Sequence, residues 1–403
     1  MERKILVVSI AFAFTACGAP DTTNPNPDVP TSEQDDNREV INAKPPIMDE
    51  VACEGFDFHV SKQIDLEPYV IGGNEQSFLF AAGGYTSPTV LQSVDHDGKD
   101  LVSKVEVPDA NGGIWFIDAF PNNRGYGIVT EQFFTDNGKQ FLLKADAEGR
   151  FVNQSDTPNR AWLYTGDRGI IGYPTRATAD AVNFKFWNVT GTVPFPVREV
   201  RRTGDYNATD AFYLYAIALG HSGSTNGKMA LAFLRDQNLK QYSIEVIVGD
   251  GVSASAPVTL ISYVPNEDER NGSYVWPEKI LSVKDGFLVF WNDYRVLESP
   301  HRYLTWITAD GEKGYTKDVT QYEDFAAISN DRIAGIRLDG SRSTGTMTNF
   351  RLELMDTSFV IRDSVLVSDE VWNGSLLAVG GGDVAVAHAS RSGKKLSIYR
   401  CHE

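Results

Sequence analysis

The residues whose spacing best suits chemistry are three aspartates around one glycine. Asp95, Asp97 and Asp100 lie in "DHDGKD", a spacing that brings carboxylate oxygens towards one point, as calcium coordination requires. The bidentate Glu of an EF-hand loop is missing, and the same position elsewhere in the chain holds plain polar turns. A structural turn therefore competes with calcium, the one cofactor this sequence suggests. The six histidines (His59, His96, His221, His301, His388 and His402) are scattered, and neither HExxH nor CxxC occurs, so a zinc site has no support. "GHSGS" at Gly220–Ser224 sets His beside Ser but misses the G-x-S-x-G elbow, and adjacent strand side chains point apart. Glycosidase chemistry needs two carboxylates about 5–10 Å apart. Among 54 acidic residues the sequence selects no such pair.

Whatever chemistry exists must be positioned by strands. From Gly55 onward, short apolar runs such as "FLFAAGGY", "FLVFWND" and "DVAVAHAS" alternate with Gly, Asn, Asp and Ser turns, the pattern of an all-β fold. One unit recurs: an apolar strand, an acidic or Asn turn, then another strand. Its turns fall at Asp97, Asp146, Asn188, Asp236, Asp310 and Asp356, and a seventh such strand ends at Cys401. The spacing is 42–49 residues except for 74 between Asp236 and Asp310, where an insertion near 253–272 is expected. A second series of tight turns precedes the first, at Gly73-Asn74, Asn122-Asn123, Asp167-Arg168, Asp285-Gly286, Asn330-Asp331 and Gly382-Asp383. The fourth unit shows no equivalent.

A period near 45–50 residues with four strands per unit is what a β-propeller requires. Seven four-stranded blades are expected, with six and eight as alternatives. The last repeat stops at its third strand, "KLSIYRC", and the N-terminal "FHVSKQIDL" is expected to supply the fourth and close the ring. No repeat carries the Trp-Asp ending of WD repeats. "SVDHDG" resembles the Asp-box of sialidase propellers only in part, since the Thr-Trp after Gly is absent. The seven tryptophans lie mostly within strand patterns, where core packing is their expected role.

The N-terminus is different in kind. Arg3 and Lys4 precede an apolar run from Ile5 to Phe14, too short to span a bilayer and fitting a secretory signal. "FTAC" at residues 14–17 resembles the lipobox of bacterial lipoproteins, with Phe14 in place of the usual Leu. The resemblance implies cleavage before Cys17, a thioether lipid on Cys17 and an acylated amino terminus, so that the partner at this end is a lipid bilayer. Gly18, not Asp, follows the cysteine, which under the sorting rule of such proteins points to the outer membrane or cell surface of a diderm host. Residues 18–50 hold six prolines, eight acidic residues and no aromatic, a composition that cannot bury a core. The expected domains are a signal peptide at 1–16, a lipidated tether at 17–50 and a propeller at 51–403. With Cys17 assigned to lipid, Cys53 and Cys401 remain, and they bracket the globular region as a disulfide would.

The net charge of −17 argues against nucleic acid as a partner and against a polybasic grip on lipid. In a propeller the loops joining second to third strands share a face with the loops between blades. Tyr85, Phe133, Phe134, His221, Tyr294 and His301 are the candidates on that face, among Ser, Thr, Gly and Asn, which suits protein or carbohydrate recognition. A membrane-anchored recognition or scaffold module is the expected function. An exported polysaccharide hydrolase or lyase and an envelope assembly component are the alternatives. No catalytic motif supports an enzyme.

Overall fold

Strands with apolar residues on both sides must be covered on both sides. In "FLVFW" Phe287, Leu288, Val289, Phe290 and Trp291 are all buried, so a layer packs against each face. A computed structural model of the chain shows how. It describes residues 53–64, 68, 70–83, 88–111, 113–119, 125–132, 139–156, 164–165, 170–178, 181–188, 194–201, 217–221, 228–236, 241–249, 255–264, 275–295, 300–341, 346–371, 373–390 and 393–402. Cys17, the expected signal peptide and the expected tether lie outside them. Among the described residues no helix is long and apolar enough to cross a membrane.

The architecture is all-β, built of four-stranded antiparallel sheets. β1 (Gly55–Gln63) comes first and belongs to the last of these sheets. Sheet 1 is β2 (Val70–Gly73), β3 (Phe78–Ala82), β4 (Pro88–Val94) and β5 (Asp100–Asn111). Sheet 2 is β6 (Gly113–Ala119), β7 (Tyr126–Gln132), β8 (Lys139–Ala145) and β9 (Phe151–Asp156). Sheet 3 is β10 (Tyr164–Thr165), β11 (Ile170–Thr178), β12 (Ala181–Asn188) and β13 (Pro194–Arg201). Sheet 4 is β14 (Ile217–His221), β15 (Met229–Asp236), β16 (Tyr242–Gly249) and β17 (Val258–Tyr263). Sheet 5 is β18 (Val275–Val283), β19 (Gly286–Asp293), β20 (His301–Thr308) and β21 (Lys313–Asp318). Sheet 6 is β22 (Tyr322–Ala327), β23 (Arg332–Ser341), β24 (Thr346–Asp356) and β25 (Ile361–Val371). Sheet 7 is β26 (Asn373–Gly380), β27 (Asp383–Ser390) and β28 (Gly393–His402), with β1 as its fourth strand.

Apolar clusters fill the spaces between successive sheets. Phe78 and Phe80 of sheet 1 meet Ala385 and Ile398 of sheet 7, while Leu79 and Leu91 meet Tyr126 and Leu143 of sheet 2. Similar clusters lie between sheets 4 and 5, 5 and 6, and 6 and 7. The first strands touch in series: β10 with β14, β14 with β18, β18 with β22, β22 with β26, β26 with β2, and β2 with β6.

The turns of the repeat have one design. Asp146 Oδ1 accepts the Glu148 and Arg150 amides at 3.0 and 2.9 Å. Gly149 completes the hairpin at φ +85°, a conformation that favours glycine. Asp95 and Asp356 accept amides two and four residues on in the same way. After Asp356 the left-handed position is held by Phe359, φ +62°, whose ring packs on Phe325 with centroids 5.6 Å apart. Each tip also docks on the preceding sheet. Ser93 Oγ and Ser77 Oγ of sheet 1 donate to the Glu148 and Ala147 carbonyls at 2.5 and 2.7 Å. Tyr315 and Lys317 of sheet 5 bond the Thr357 and Ser358 carbonyls.

The fourth unit departs from the expected phase. In sheet 4 the first strand ends at His221, within "GHSGS", and the second begins at Met229. Asp236 ends the second strand, and the third-to-fourth connection lies between Gly249 and Val258. The long gap therefore reflects in part a shift of register: "LRDQNLKQY" has the same strand–turn–strand pattern as the true hairpins. The remainder of the gap falls in the connection from Tyr263 to Val275, which overlaps the insertion expected at 253–272.

The first and last described strands meet in sheet 7. β1 pairs with β28 from Gly55↔His402 to Gln63↔Lys395, with a bulge near His59. Cys53 and Cys401 form a disulfide, with Cα atoms 5.1 Å apart. Arg332 of sheet 6 donates to the Cys53 carbonyl at 3.1 Å, and Asp363 accepts the Phe56 amide at 2.8 Å. The bond closes a loop spanning a sequence separation of 348 residues. In the chain-entropy account such a loop is worth up to about 5 kcal/mol. Replacing both cysteines by alanine should lower the urea midpoint accordingly, and an unchanged midpoint would show that the crosslink adds nothing.

His388 is buried on β27, its ring 5.5 Å from that of Phe350, and its Nδ1 has no hydrogen-bond partner. Burial, with the charge of Lys395 second, pushes it down from 6.5 to about 4. The folded state holds His388 neutral while the unfolded chain takes up a proton near pH 6.5. Its contribution is therefore intact above pH 6.5 and falls as pH drops towards 4, by about 3 kcal/mol. Unfolding free energy measured against pH should fall less steeply over that window in His388→Leu; an equal slope would contradict this assignment.

Candidate functional site

Of the sequence candidates, Tyr294 and His301 fall at one place, the second-to-third connection of sheet 5. Tyr85, Phe133 and Phe134 lie outside the described residues. His221 ends β14, before a first-to-second connection, so within its own sheet it stands at the opposite end from the second-to-third connection.

The end of sheet 5 presents two faces. Opposed residues of paired strands share a face, so Trp276, Asn292 and Arg302 lie together, and Val275, Asp293 and His301 lie together on the other side. On the first face Trp276 is 37% exposed and meets Tyr294 with centroids 5.0 Å apart and planes tilted by 34°. Asn292 Nδ2 donates to Glu278 Oε2 at 3.0 Å, and Arg302 Nε donates to the same oxygen at 2.7 Å. A second Arg302 nitrogen bonds Glu278 Oε1. The third reaches sheet 6, donating to the Tyr322 and Glu323 carbonyls at 2.8 and 2.6 Å.

Beyond Arg302 the row continues on sheet 6. Glu353 is buried; Tyr322 Oη donates to its Oε2 at 2.6 Å and Arg337 Nη1 to its Oε1 at 2.7 Å. Arg337 Nε also donates to Asp339 Oδ1 at 3.1 Å. Burial, and then the bond to Glu353, push the Tyr322 phenol far above its ordinary value. Burial opposes the charge on Arg337, but Asp339 and Glu353 outweigh it and hold the guanidinium above its ordinary value.

On the second face Trp291 and Tyr303 stack with centroids 4.5 Å apart, and His301 lies 5.9 Å from Tyr303. His301 Nδ1 is 3.0 Å from Asp318 Oδ2. Asp293 is buried against Arg295, which donates to both its oxygens and sits 5.2 Å from the Tyr263 ring centroid. Burial would raise Asp293, but the Arg295 bonds and charge win and lower its carboxyl below the ordinary value.

The three aspartates of "DHDGKD" are each engaged elsewhere. Asp95 caps its own turn through the Asp97 and Lys99 amides. Asp97 is 2.9 Å from His59 and 2.8 Å from Arg400, and Asp100 is 2.6 Å from Lys62. These pairs join sheet 1 to sheet 7. Among the described residues no group of three or more His, Cys, Asp or Glu side chains is placed to hold a metal ion. His96 lies in the same seam, between Asp383 at 2.9 Å and the Asn74 carbonyl at 3.0 Å.

Sequence reasoning assigned Trp276 to core packing and passed over Glu278, Arg302, Tyr322, Arg337 and Glu353. The available signal was "VWPEK", a strand start with an aromatic and a carboxylate two residues apart, facing "ND" at the end of the next strand.

No protein-family model matches the chain, and no curated protein matches its sequence. Solved structures with a related chain path include Raptor of Chaetomium thermophilum, at 9% identity and TM-score 0.49, covering 86% of this chain. This chain spans 29% of the length of that one. The polysaccharide lyase Uly1 matches at 12% identity and TM-score 0.49, covering 86% of this chain and 92% of its own. BamB of Moraxella catarrhalis matches at 10% identity and TM-score 0.41, covering 86% and 99%. Likeness at this level carries no argument about ligand, reaction or partner.

The Tyr322–Glu353–Arg337 group gives a direct test of the row. Arg337→Met strands a buried carboxylate and should cost about 3–5 kcal/mol. Tyr322→Phe removes one hydrogen bond and should cost about 1–3 kcal/mol. Urea unfolding of both variants checks the order; equal costs would mean that Glu353 is not held mainly by Arg337.

Proposed function

We propose that the chain is an exported, lipid-anchored recognition module. In this reading Cys17 carries the lipid and residues 17–50 form the tether. Residues 51–403 form a seven-bladed propeller whose last blade is completed by β1. The serial contact of first strands and the apolar clusters between the described sheets support the propeller. The observation that carries the function is the exposed Trp276, packed on a half-buried Tyr294, beside a charge-compensated polar row at the end of sheet 5. An aromatic platform flanked by oriented polar groups is a binding surface.

Recognition is better supported than hydrolase or lyase chemistry. A base needs an acidity tuned towards neutrality. Among the described residues Tyr126, Tyr303, Tyr315, Tyr322 and Tyr399 are all shifted upward, chiefly by burial. The carboxylates of the row are bonded to arginine.

Two measurements on the intact protein test the reading. Cys17→Ser should abolish palmitate labelling and release the protein from membranes; continued labelling would overturn the anchor. The purified full chain should bind envelope or matrix material without releasing products, and product release from any polysaccharide would decide for the enzyme.

A further inference from the structure

We infer that the end of sheet 5 binds a neutral oligosaccharide, a claim that rests on the recognition reading above. The argument is one of charge and shape. The cations of this region each face a carboxylate. Arg302 is bound to Glu278, Arg337 to Glu353 and Asp339, and Arg295 to Asp293. Lys279 meets Asp324 at 3.0 Å. An anionic ligand would thus meet compensated cations, inside a chain of net charge −17 that repels it.

What the surface offers instead suits sugar hydroxyls and ring faces. Trp276 and Tyr294 pack on one another with centroids 5.0 Å apart, and the exposed part of the Trp276 ring can cover the apolar C–H face of a pyranose. Next to them Asn292 carries a second N–H and a carbonyl oxygen beyond its bond to Glu278. Glu278 is an acceptor with about four lone-pair sites; Arg302 and Asn292 take three of them and fix its plane, which leaves one on Oε1 for a ligand. A carboxylate held in this way accepts from a hydroxyl without changing its protonation, and an amide beside it both donates and accepts. Shared hydroxyl donors and acceptors, not charges, are what such a pair distinguishes.

The test uses the full chain in detergent, titrated by calorimetry with neutral oligosaccharides and with uronate-containing or sulfated oligosaccharides of equal length. Binding should occur with a neutral series and be nearly independent of salt from about 0.05 to 0.5 M. Trp276→Ala and Tyr294→Ala should each weaken it about tenfold or more, near 1.4 kcal/mol, with unchanged urea midpoints. Glu278→Gln should weaken it by a smaller factor. Binding of the acidic series alone, falling with salt, would overturn the neutral ligand and leave recognition standing. Capture of a protein partner with no glycan bound would do the same. Neutral binding indifferent to both aromatic substitutions would overturn the site.

Discussion

The antiparallel pairing of β1 with β28 is the interaction on which the rest of the structure depends. Without it sheet 7 would end in an unpaired edge at β28, and Phe56 and Cys53 would leave the cluster between sheets 6 and 7. That cluster is one of a series, and each sheet of the series is buried only because its neighbours are in place. A pairing between residues more than three hundred positions apart carries a large loop-closure cost. The disulfide, the Arg332–Cys53 bond and the Asp363–Phe56 bond offset it at the same spot.

Between sheets 1 and 2 and between sheets 5 and 6 the same task falls to hairpin tips. A tip such as Ala147–Gly149 has carbonyls that its own sheet does not use, and the preceding sheet supplies Ser77 and Ser93 to bond them. At the seam of sheets 1 and 7 the tip carries charge instead: Asp97 and Asp100 meet His59, Arg400 and Lys62. A carboxylate motif with a calcium-like spacing is thus used to join two sheets. Coordination spacing along a chain shows which oxygens can converge, but not which cations stand nearer.

Four-strand repeats, the Cys53–Cys401 pair and the N-terminal strand were legible because each has a signal along the chain: period, count and a missing element. The fourth unit was misread because a second-to-third hairpin around Asp236 has the same local chemistry as the third-to-fourth hairpins of the other sheets. Phe359 shows the reverse, a hairpin without its glycine, whose left-handed residue is held by packing on Phe325. The cluster at the end of sheet 5 was mostly hidden. Its residues come from β18, β19 and β20 and from a second sheet, and what joins Trp276 to Asn292 is strand register, which no spacing in the sequence reveals. Tyr294 and His301 were found because they flank one loop.

The polar and aromatic cluster at the end of sheet 5 depends in turn on the packing between sheets. Glu278 is oriented by Arg302, and Arg302 is held by carbonyls of sheet 6, which is itself bound to sheet 7 and to β1. Amide hydrogen exchange of β1 tests this account most directly. Val60 and Lys62, which continue the hydrogen-bonded register of Ile64 with Lys394, should exchange as slowly as the central strand β27, because they belong to the same cooperative unit. Exchange at the rate of an unstructured chain, with the disulfide intact, would contradict it.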